Sequence, residues 1–248
     1  MKVNLIGVDC ATAPNNVGLA LGSYSDGRTV VEAACLGTPT ALPEDIVTEW
    51  VRRDQDNPTL IALDAPLGWP APLADALQCH RAGQNISTPA HDLFRRRTDR
   101  KVRETIGKQS LDVGADRIAR TAYAALKLLE NLRQRLNETI PLAWDRDISG
   151  LKAIEVYPAA TLAAHGIDAT GYRAKNGRSE RERVIAKVSL IMDIDTDIPA
   201  LDTRSDGLDA VICLLALHDF LSHSVLLPPE EALVEREGWI WVRDPFAD

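Results

Sequence analysis

The chain has 248 residues, 45% of them hydrophobic, which suits one elaborated globular domain or two small ones. Its formal net charge is -8 and its pI is near 5.2, which argues against a protein that coats duplex DNA but allows a local basic groove. The longest apolar run of the second half, 210–217, is too short for a membrane span of roughly 20 residues, and no signal peptide is visible. We therefore expect a cytoplasmic protein without a membrane segment.

An apolar strand is predicted at the start of the chain, and it ends in a carboxylate. The apolar residues of 3–9 do not alternate with polar ones, which indicates a central strand covered on both faces. Asp9 closes this strand, and burying a lone carboxylate costs several kcal/mol unless it is paired, hydrogen-bonded or bound to a metal. The remaining sequence should therefore supply a partner for Asp9.

Two further strands and a helix are predicted next. Residues 17–24 and 28–36 have strand composition, and the turn signal Ser25-Asp-Gly27 joins them as a hairpin. Residues 43–52 predict a helix, because Pro stands at its start, acids follow in its first turn, and its apolar residues share one face.

The stretch 59–64 repeats the opening pattern, since an apolar strand again ends in a carboxylate, Asp64. A right-handed crossover through the preceding helix would make this strand parallel to the first and bring Asp64 beside Asp9. The alternative is that Asp64 only caps the turn before Ala65-Pro66.

Residues 70–150 predict a helical insertion, with a long helix at 115–136 as its main element. A basic cluster at 95–103 precedes that helix. We expect Arg97 or Arg100 to face the acidic site and bind a phosphate through the guanidinium fork. The alternative is that the cluster is an ordinary solvated surface.

The second half of the chain begins with another strand that carries an acid near its end, Glu155 in 151–158. A short helix is predicted at 158–164. The basic segment 172–187 is expected to enter a helix that continues towards Met192, and the acidic stretch 193–202 to form a surface loop.

The clearest predicted helix is 205–220, which is apolar nearly all round and therefore buried. Asp206 and Asp209 lie three residues apart, on one face of its first turn. Asp206 could equally serve as an acid that caps the free amides of the helix. A late strand or hairpin arm is predicted at 238–243.

Four elements that are distant in sequence thus present carboxylates that could converge. Repulsion among three or more carboxylates is relieved by divalent cations, and Mg²⁺ or Mn²⁺ prefers such an oxygen environment. Two such ions can activate water and stabilise the leaving oxygen in phosphodiester hydrolysis. The expected catalytic acids are Asp9, Asp64, Glu155 and Asp209, and the expected metal ligands are Asp9, Asp64, Asp206 and Asp209.

Five short motifs, in this order, resemble the family called domain of unknown function 429, described as predicted nucleases with an RNase H-like fold. They are Gly7-Val-Asp9 with Ala11, Asp64-Ala-Pro-Leu-Gly68, Arg97-x-x-Arg100, Glu155-Val-Tyr-Pro158 and Asp206-Gly-Leu-Asp209-Ala210. The last motif also resembles the closing motif of RuvC-type resolvases. The resemblance covers essentially the whole chain and implies a metal-dependent nuclease.

The resulting prediction is a single α/β domain over 1–248, with an RNase H-like mixed sheet in βββαβαβα order and a helical insertion at about 70–150. Asp9 would bridge the ions, Asp64 and Asp209 would each complete one, and Glu155 would be a ligand or orient the water. The substrate would be a nucleic acid or a smaller phosphodiester. Two alternatives remain: a non-catalytic binding or regulatory module on the same scaffold, and, less favoured, an actin-like phosphotransferase, whose phosphate loop needs small residues and Gly where this chain has Asp9-Cys-Ala-Thr12.

Overall fold

The computed structural model describes residues 2–114, 116–194, 198, 200–229 and 231–246. In this part of the chain the strands are β1 (Val3–Asp9), β2 (Gly18–Ser25), β3 (Arg28–Leu36), β4 (Thr59–Asp64), β5 (Leu151–Glu155) and β6 (Asp193–Ile194). The helices are α1 (Pro43–Arg53), α2 (Ala71–Leu77), α3 (Ala90–Phe94), α4 (Arg97–Ile106), α5 (Asp116–Leu136), α6 (Pro158–Ala164), α7 (Arg178–Val188), α8 (Ala200–Thr203), α9 (Ser205–Leu221) and α10 (Glu231–Glu237). A 3-10 turn, Pro14–Asn16, follows β1.

The strands form one mixed sheet in the order β5-β4-β1-β2-β3-β6. The hairpin-linked β1, β2 and β3 are antiparallel neighbours, whereas β4 is parallel to β1 and β5 is parallel to β4. The helix α1 is the crossover between β3 and β4, as the sequence predicted. This arrangement confirms the predicted α/β fold with an RNase H-like mixed sheet.

Helices cover both faces of the sheet, which explains why the central strands are apolar without alternation. On one face α9 packs over β1, β2 and β3, and Val3 and Leu5 of β1 point towards it. On the other face Ile6 and Val8 of β1 pack with α1 and α5. Four helices, α2 to α5, lie between β4 and β5 in the described chain. None of the described helices combines the length and apolarity needed to cross a membrane.

The predictions for three segments after β5 were wrong in part. The acidic stretch 193–202 begins with β6, which pairs in parallel with Val30 and Val31 of β3, and ends in α8; residues 195–197 and 199 lie outside the described residues. The pairing gives the outer edge of β3 a partner. The helix α7 ends at Val188, short of Met192.

The predicted strand at 238–243 is a pair of isolated bridges, from Ile240 to Glu155 and from Arg243 to Val225. Trp239 and Trp241 of this segment are buried. The apolar pattern of this segment therefore reflects its burial in the core, and the segment makes isolated bridges in place of a regular strand. The predicted start of the helix at Ala115 lies outside the described residues. In the described part of the chain, α5 begins at Asp116.

Candidate functional site

Two neighbouring strands place Asp9 and Asp64 side by side. The register of β1 and β4 pairs these two residues directly, at the carboxyl ends of both strands. Because side chains alternate along a strand, both point to the face covered by α9, as Leu5 and Leu60 do further back. Both aspartates are half-buried. The expectation that Asp64 lies beside Asp9 on a parallel strand is confirmed.

The first turn of α9 reaches the same place because glycines let this helix lie directly on the sheet. A Cβ atom on Gly7 would stand 2.1 Å from the carbonyl oxygen of Ala210, and one on Gly18 would stand 1.8 Å from that of Asp206. No larger residue fits at either position without moving α9. This close approach brings the buried Asp209 towards Asp9 and Asp64, which we together call the aspartate cluster.

Asp209 is held by two residues of the turn that precedes α7. The hydroxyl of Tyr172 donates a hydrogen bond of 2.6 Å to Oδ1, and Nε of Arg173 donates one of 3.0 Å to Oδ2. Arg173 also lies over the Tyr172 ring, 5.4 Å from its centroid. The sequence placed Arg173 in a basic segment but gave no sign of its partner, which is 36 residues away.

The electrostatics of the aspartate cluster favour protons or another cation. Burial raises the pKa of Asp9 well above its ordinary value, and the charges of Asp209, Asp64 and Asp206 raise it further. Burial, followed by the charge of Asp209, raises the pKa of Asp64 to about 7. The pKa of Asp209 is also raised by burial, although Arg173 opposes the shift. One guanidinium therefore does not neutralise the three carboxylates.

Asp206 lies at the edge of this site rather than in its centre. It is half-buried, and Nε of Arg204 donates a 2.9 Å hydrogen bond to its Oδ2. Its charge still contributes to raising the pKa of Asp9. The role of Asp206 as a metal ligand stays a prediction.

Glu155 is close enough to contribute to the raised pKa of Asp64, but its own carboxylate is already bound. Arg96 donates to both oxygens, from Nη2 to Oε1 at 2.6 Å and from Nη1 to Oε2 at 2.8 Å. The amide of Leu67 donates a further bond of 2.9 Å to Oε2. Asp99 binds the remaining side of the same guanidinium, and Arg96, Glu155 and Asp99 are 1% to 3% exposed. We call these three residues the Arg96 network.

The two arginines expected to hold phosphate, Arg97 and Arg100, contact acidic residues outside the aspartate cluster. Arg100 donates a 2.6 Å hydrogen bond to Asp92, and Arg97 is exposed, with its backbone amide bound to Glu237. Neither residue is among those lining the cavity at the aspartate cluster. Their substrate contact stays a prediction, whereas Arg96 and Arg173 do line that cavity.

A cavity of about 220 Å³ opens over the aspartate cluster. Its floor includes Asp9 and Asp64, and Arg173 and Tyr157 stand at its side. The segment between α4 and α5 and the start of α5 also line it, through Ser110, Leu111, Ile118 and Thr121. The helical stretch between β4 and β5 thus contributes the upper wall of the site.

The donor chemistry of the aspartate cluster fits a hard divalent cation, because three carboxylates with raised pKa values meet there. Their present arrangement is not that of a formed metal site. Within the described residues, no group of three or more His, Cys, Asp or Glu side chains is positioned to hold a metal ion. Arg173 and Tyr172 each bind one of the two oxygens of Asp209, so a metal ion at Asp209 would have to share these oxygens with them or displace one.

Comparison with known proteins gives a family but no activity. The family described as "Protein of unknown function (DUF429)" matches residues 7–232. No curated protein matches the chain significantly. A solved structure, "T. thermophilus RuvC in complex with Holliday junction substrate", is similar over 88% of this chain and 94% of that chain, with 12% sequence identity and a TM-score of 0.38. At that identity and TM-score, the likeness carries no argument about activity.

Proposed function

We propose that this chain, which belongs to the DUF429 family, is a metal-dependent phosphodiester hydrolase whose reaction centre is the aspartate cluster. The observation that carries the proposal is the convergence of Asp9, Asp64 and Asp209 from two adjacent strands and one helix, with Asp9 and Asp64 lining one cavity. Mg²⁺ or Mn²⁺ is the proposed cofactor. Buried carboxylates in excess of their cations are unfavourable for folding and are tolerated where a ligand supplies the missing charge.

The aspartates would hold the cofactor, with Asp9 between Asp64 and Asp209. A bound divalent ion supplies a water of lowered pKa and positive charge against the phosphate oxygens. In the overall reaction, a water oxygen forms the new bond to phosphorus and one P–O ester bond breaks, leaving a phosphomonoester and an alcohol. The chain's own part is to fix the carboxylates in register at the ends of β1 and β4.

Arg173 is the proposed phosphate contact. Its side chain is 47% exposed and lines the cavity, and its hydrogen bond to Asp209 uses Nε, so the terminal guanidinium nitrogens are the atoms that would meet a phosphate. Arg97 and Arg100 do not line this cavity, and phosphate contact by either of them remains a prediction. The Arg96 network would position the loop that follows β4, because Glu155 binds the amide of Leu67.

The test combines metal binding with hydrolysis. Titration calorimetry with Mn²⁺ at pH 8 should detect binding to the wild type and to Asp75→Asn, an exposed acid that pairs with Arg236. Asp9→Asn should lose both Mn²⁺ binding and Mn²⁺-dependent hydrolysis of bis(p-nitrophenyl) phosphate. Its metal-free stability should be unchanged or slightly raised, because a repulsive charge is gone.

The competing function is a non-catalytic binding module. It is favoured by the hydrogen bonds that Tyr172 and Arg173 already donate to the two oxygens of Asp209. That reading predicts a wild type whose thermal unfolding is indifferent to Mn²⁺. It also predicts that Asp9→Asn loses roughly 1–3 kcal/mol, as expected when a buried hydrogen-bonded carboxylate is altered. The two results together would overturn the hydrolase proposal.

A further inference from the structure

A second hollow adjoins the cavity over the aspartate cluster. Its volume is about 210 Å³, and Cys10 lines both spaces. The helix α5 borders both as well, with Ile118 and Thr121 at the first and Ala124 and Leu128 at the second. The two hollows therefore follow each other along one side of α5, the first of them lined by Asp9 and Asp64, and we call the two together the groove.

The edge of α5 beside this groove is basic, although the chain as a whole is acidic. Arg117, Arg120, Tyr123 and Lys127 recur at intervals of three or four residues, so they lie along one side of the helix. Lys127 also lines the second hollow. All four side chains are exposed, and Tyr123 is 66% exposed.

The charges on this edge are available to an anion. Within the described part of the chain, no ion pair holds Arg117 or Lys127. Arg120 has only a solvent-exposed pair with Asp116, at 3.5 Å, and such pairs are weak. The acid that lines the second hollow, Glu44, is already bound by Asn131 and lies 3.9 Å from a guanidinium nitrogen of Arg135.

We infer that this groove binds single-stranded nucleic acid, which would be the substrate class of the site if the proposed hydrolase function holds. Cations that follow the backbone, together with an exposed aromatic ring on which a base stacks, are the features by which proteins bind single strands. From Arg117 to Lys127 the helix rises about 15 Å, at 1.5 Å per residue. At roughly 3.4 Å per stacked nucleotide, that length covers about four nucleotides.

A duplex fits these observations less well. Its bases are stacked inside, so Tyr123 would have no free base to meet, and the net charge of -8 opposes a long polyanion. A single strand needs only the local positive edge. The edge and the groove thus select a strand whose bases are exposed.

The test measures binding without chemistry. Fluorescence anisotropy of a labelled 12-nucleotide single strand in EDTA reports the groove alone, since no metal is present. Arg117→Ala with Lys127→Ala should weaken binding about tenfold, and should lower the slope of log K against log salt by about 1.4, that is 0.7 for each lost phosphate contact. The matched control is Arg183→Ala with Lys187→Ala, which removes the same charge from α7, a helix that packs on the other face of the sheet.

The aromatic contact is tested separately. Tyr123→Ala should weaken binding about fivefold or more, whereas Tyr123→Phe should keep wild-type affinity, because stacking uses the ring and not the hydroxyl. DNA and RNA strands of the same sequence are compared in parallel, and a duplex of that sequence should bind more weakly than either.

Three outcomes would overturn the inference: no binding of either single strand by the wild type, equal losses in the α5 and α7 double variants, or tighter binding of the duplex. The hydrolase proposal is judged independently, by Mn²⁺-dependent cleavage of bis(p-nitrophenyl) phosphate, which does not need the groove. A protein that cleaves this diester but binds no strand keeps the proposed function and loses the substrate class.

Discussion

The substitution Asp64→Asn should stabilise the metal-free protein at high pH and leave it unchanged at low pH. The reason is the environment of Asp64, where burial and the charge of Asp209 raise its pKa to about 7. Asparagine has nearly the shape of the protonated acid but never ionises. The variant therefore removes the cost of holding a charge at this position and little else.

The magnitude follows from linkage between protonation and folding. An aspartate in an unfolded chain has a pKa of about 3.9, so between about pH 4 and pH 7 the folded state of the wild type binds a proton that the unfolded state has lost. The free energy of unfolding must then fall as the pH rises through this window and level off above about pH 7. Each pH unit is worth about 1.4 kcal/mol, which gives at most about 4 kcal/mol at pH 8. For a chain of this length that corresponds to at most about 8 to 16 °C in Tm.

The assay is thermal unfolding of wild type and Asp64→Asn from pH 4 to pH 8, in EDTA and in Mn²⁺. The two proteins should unfold together at pH 4 and separate progressively above it, with the variant more stable. Saturating Mn²⁺ should stabilise the wild type by about 2.7 kcal/mol at a hundred times its Kd, and should not stabilise Asp64→Asn. Asp75→Asn, at an exposed ion pair, should follow the wild type both in its pH dependence and in its stabilisation by Mn²⁺. A variant less stable than wild type at every pH would refute the reasoning, because it would mean that the charged form of Asp64 is hydrogen-bonded and favourable.

Two further predictions concern the packing and the charges around the site. Gly7→Ala should lower the free energy of unfolding by about 1–3 kcal/mol or more, since its Cβ would collide with the Ala210 carbonyl. It should also weaken Mn²⁺ binding, whereas an unchanged denaturation midpoint would show that α9 does not lie directly on β1. Arg96→Met should lower the free energy of unfolding, measured by urea denaturation, by about 3–5 kcal/mol, because it leaves the buried Glu155 without its cation. Arg100→Met, at a half-exposed pair, should lower it by at most about 1 kcal/mol, and equal losses would contradict the buried network.

The backbone of the fold could be predicted because local patterns and one chirality rule suffice for it. Apolar strands, a hairpin turn and an amphipathic helix fix the order β1-β2-β3-α1-β4, and a right-handed crossover then sets β4 beside β1. That step alone brings Asp9 and Asp64 together. Two-residue β6 is too short to show any periodicity, so its pairing with β3 could not be predicted.

The partners of the charged residues were harder to predict, because a run of arginines does not reveal which one turns inwards. Arg96 precedes α4 and is buried, while its neighbour Arg97 is exposed. One signal was present: Asp99 stands three residues after Arg96, in the third position of α4, where an acid can accept a hydrogen bond from the backbone amide of the N-cap residue, as Asp99 does from Arg96. Glu155 also lies in an apolar strand, so it too needs a partner. The same reasoning would have predicted that one arginine of the basic cluster at 95–103 is buried beside it.

These partners distinguish two groups of buried or half-buried acids that differ in charge balance. In the Arg96 network, two carboxylates share one guanidinium, which donates two hydrogen bonds to Glu155 and two to Asp99. The backbone amide of Arg96 donates one more to Asp99. In the aspartate cluster, three carboxylates face Arg173, which makes one bond to Asp209 and leaves the pKa of Asp64 near 7. The first group is satisfied within the protein and would gain little from a ligand. The second is not, and a divalent cation bound there would remove a repulsion that the folded chain otherwise relieves only by taking up protons.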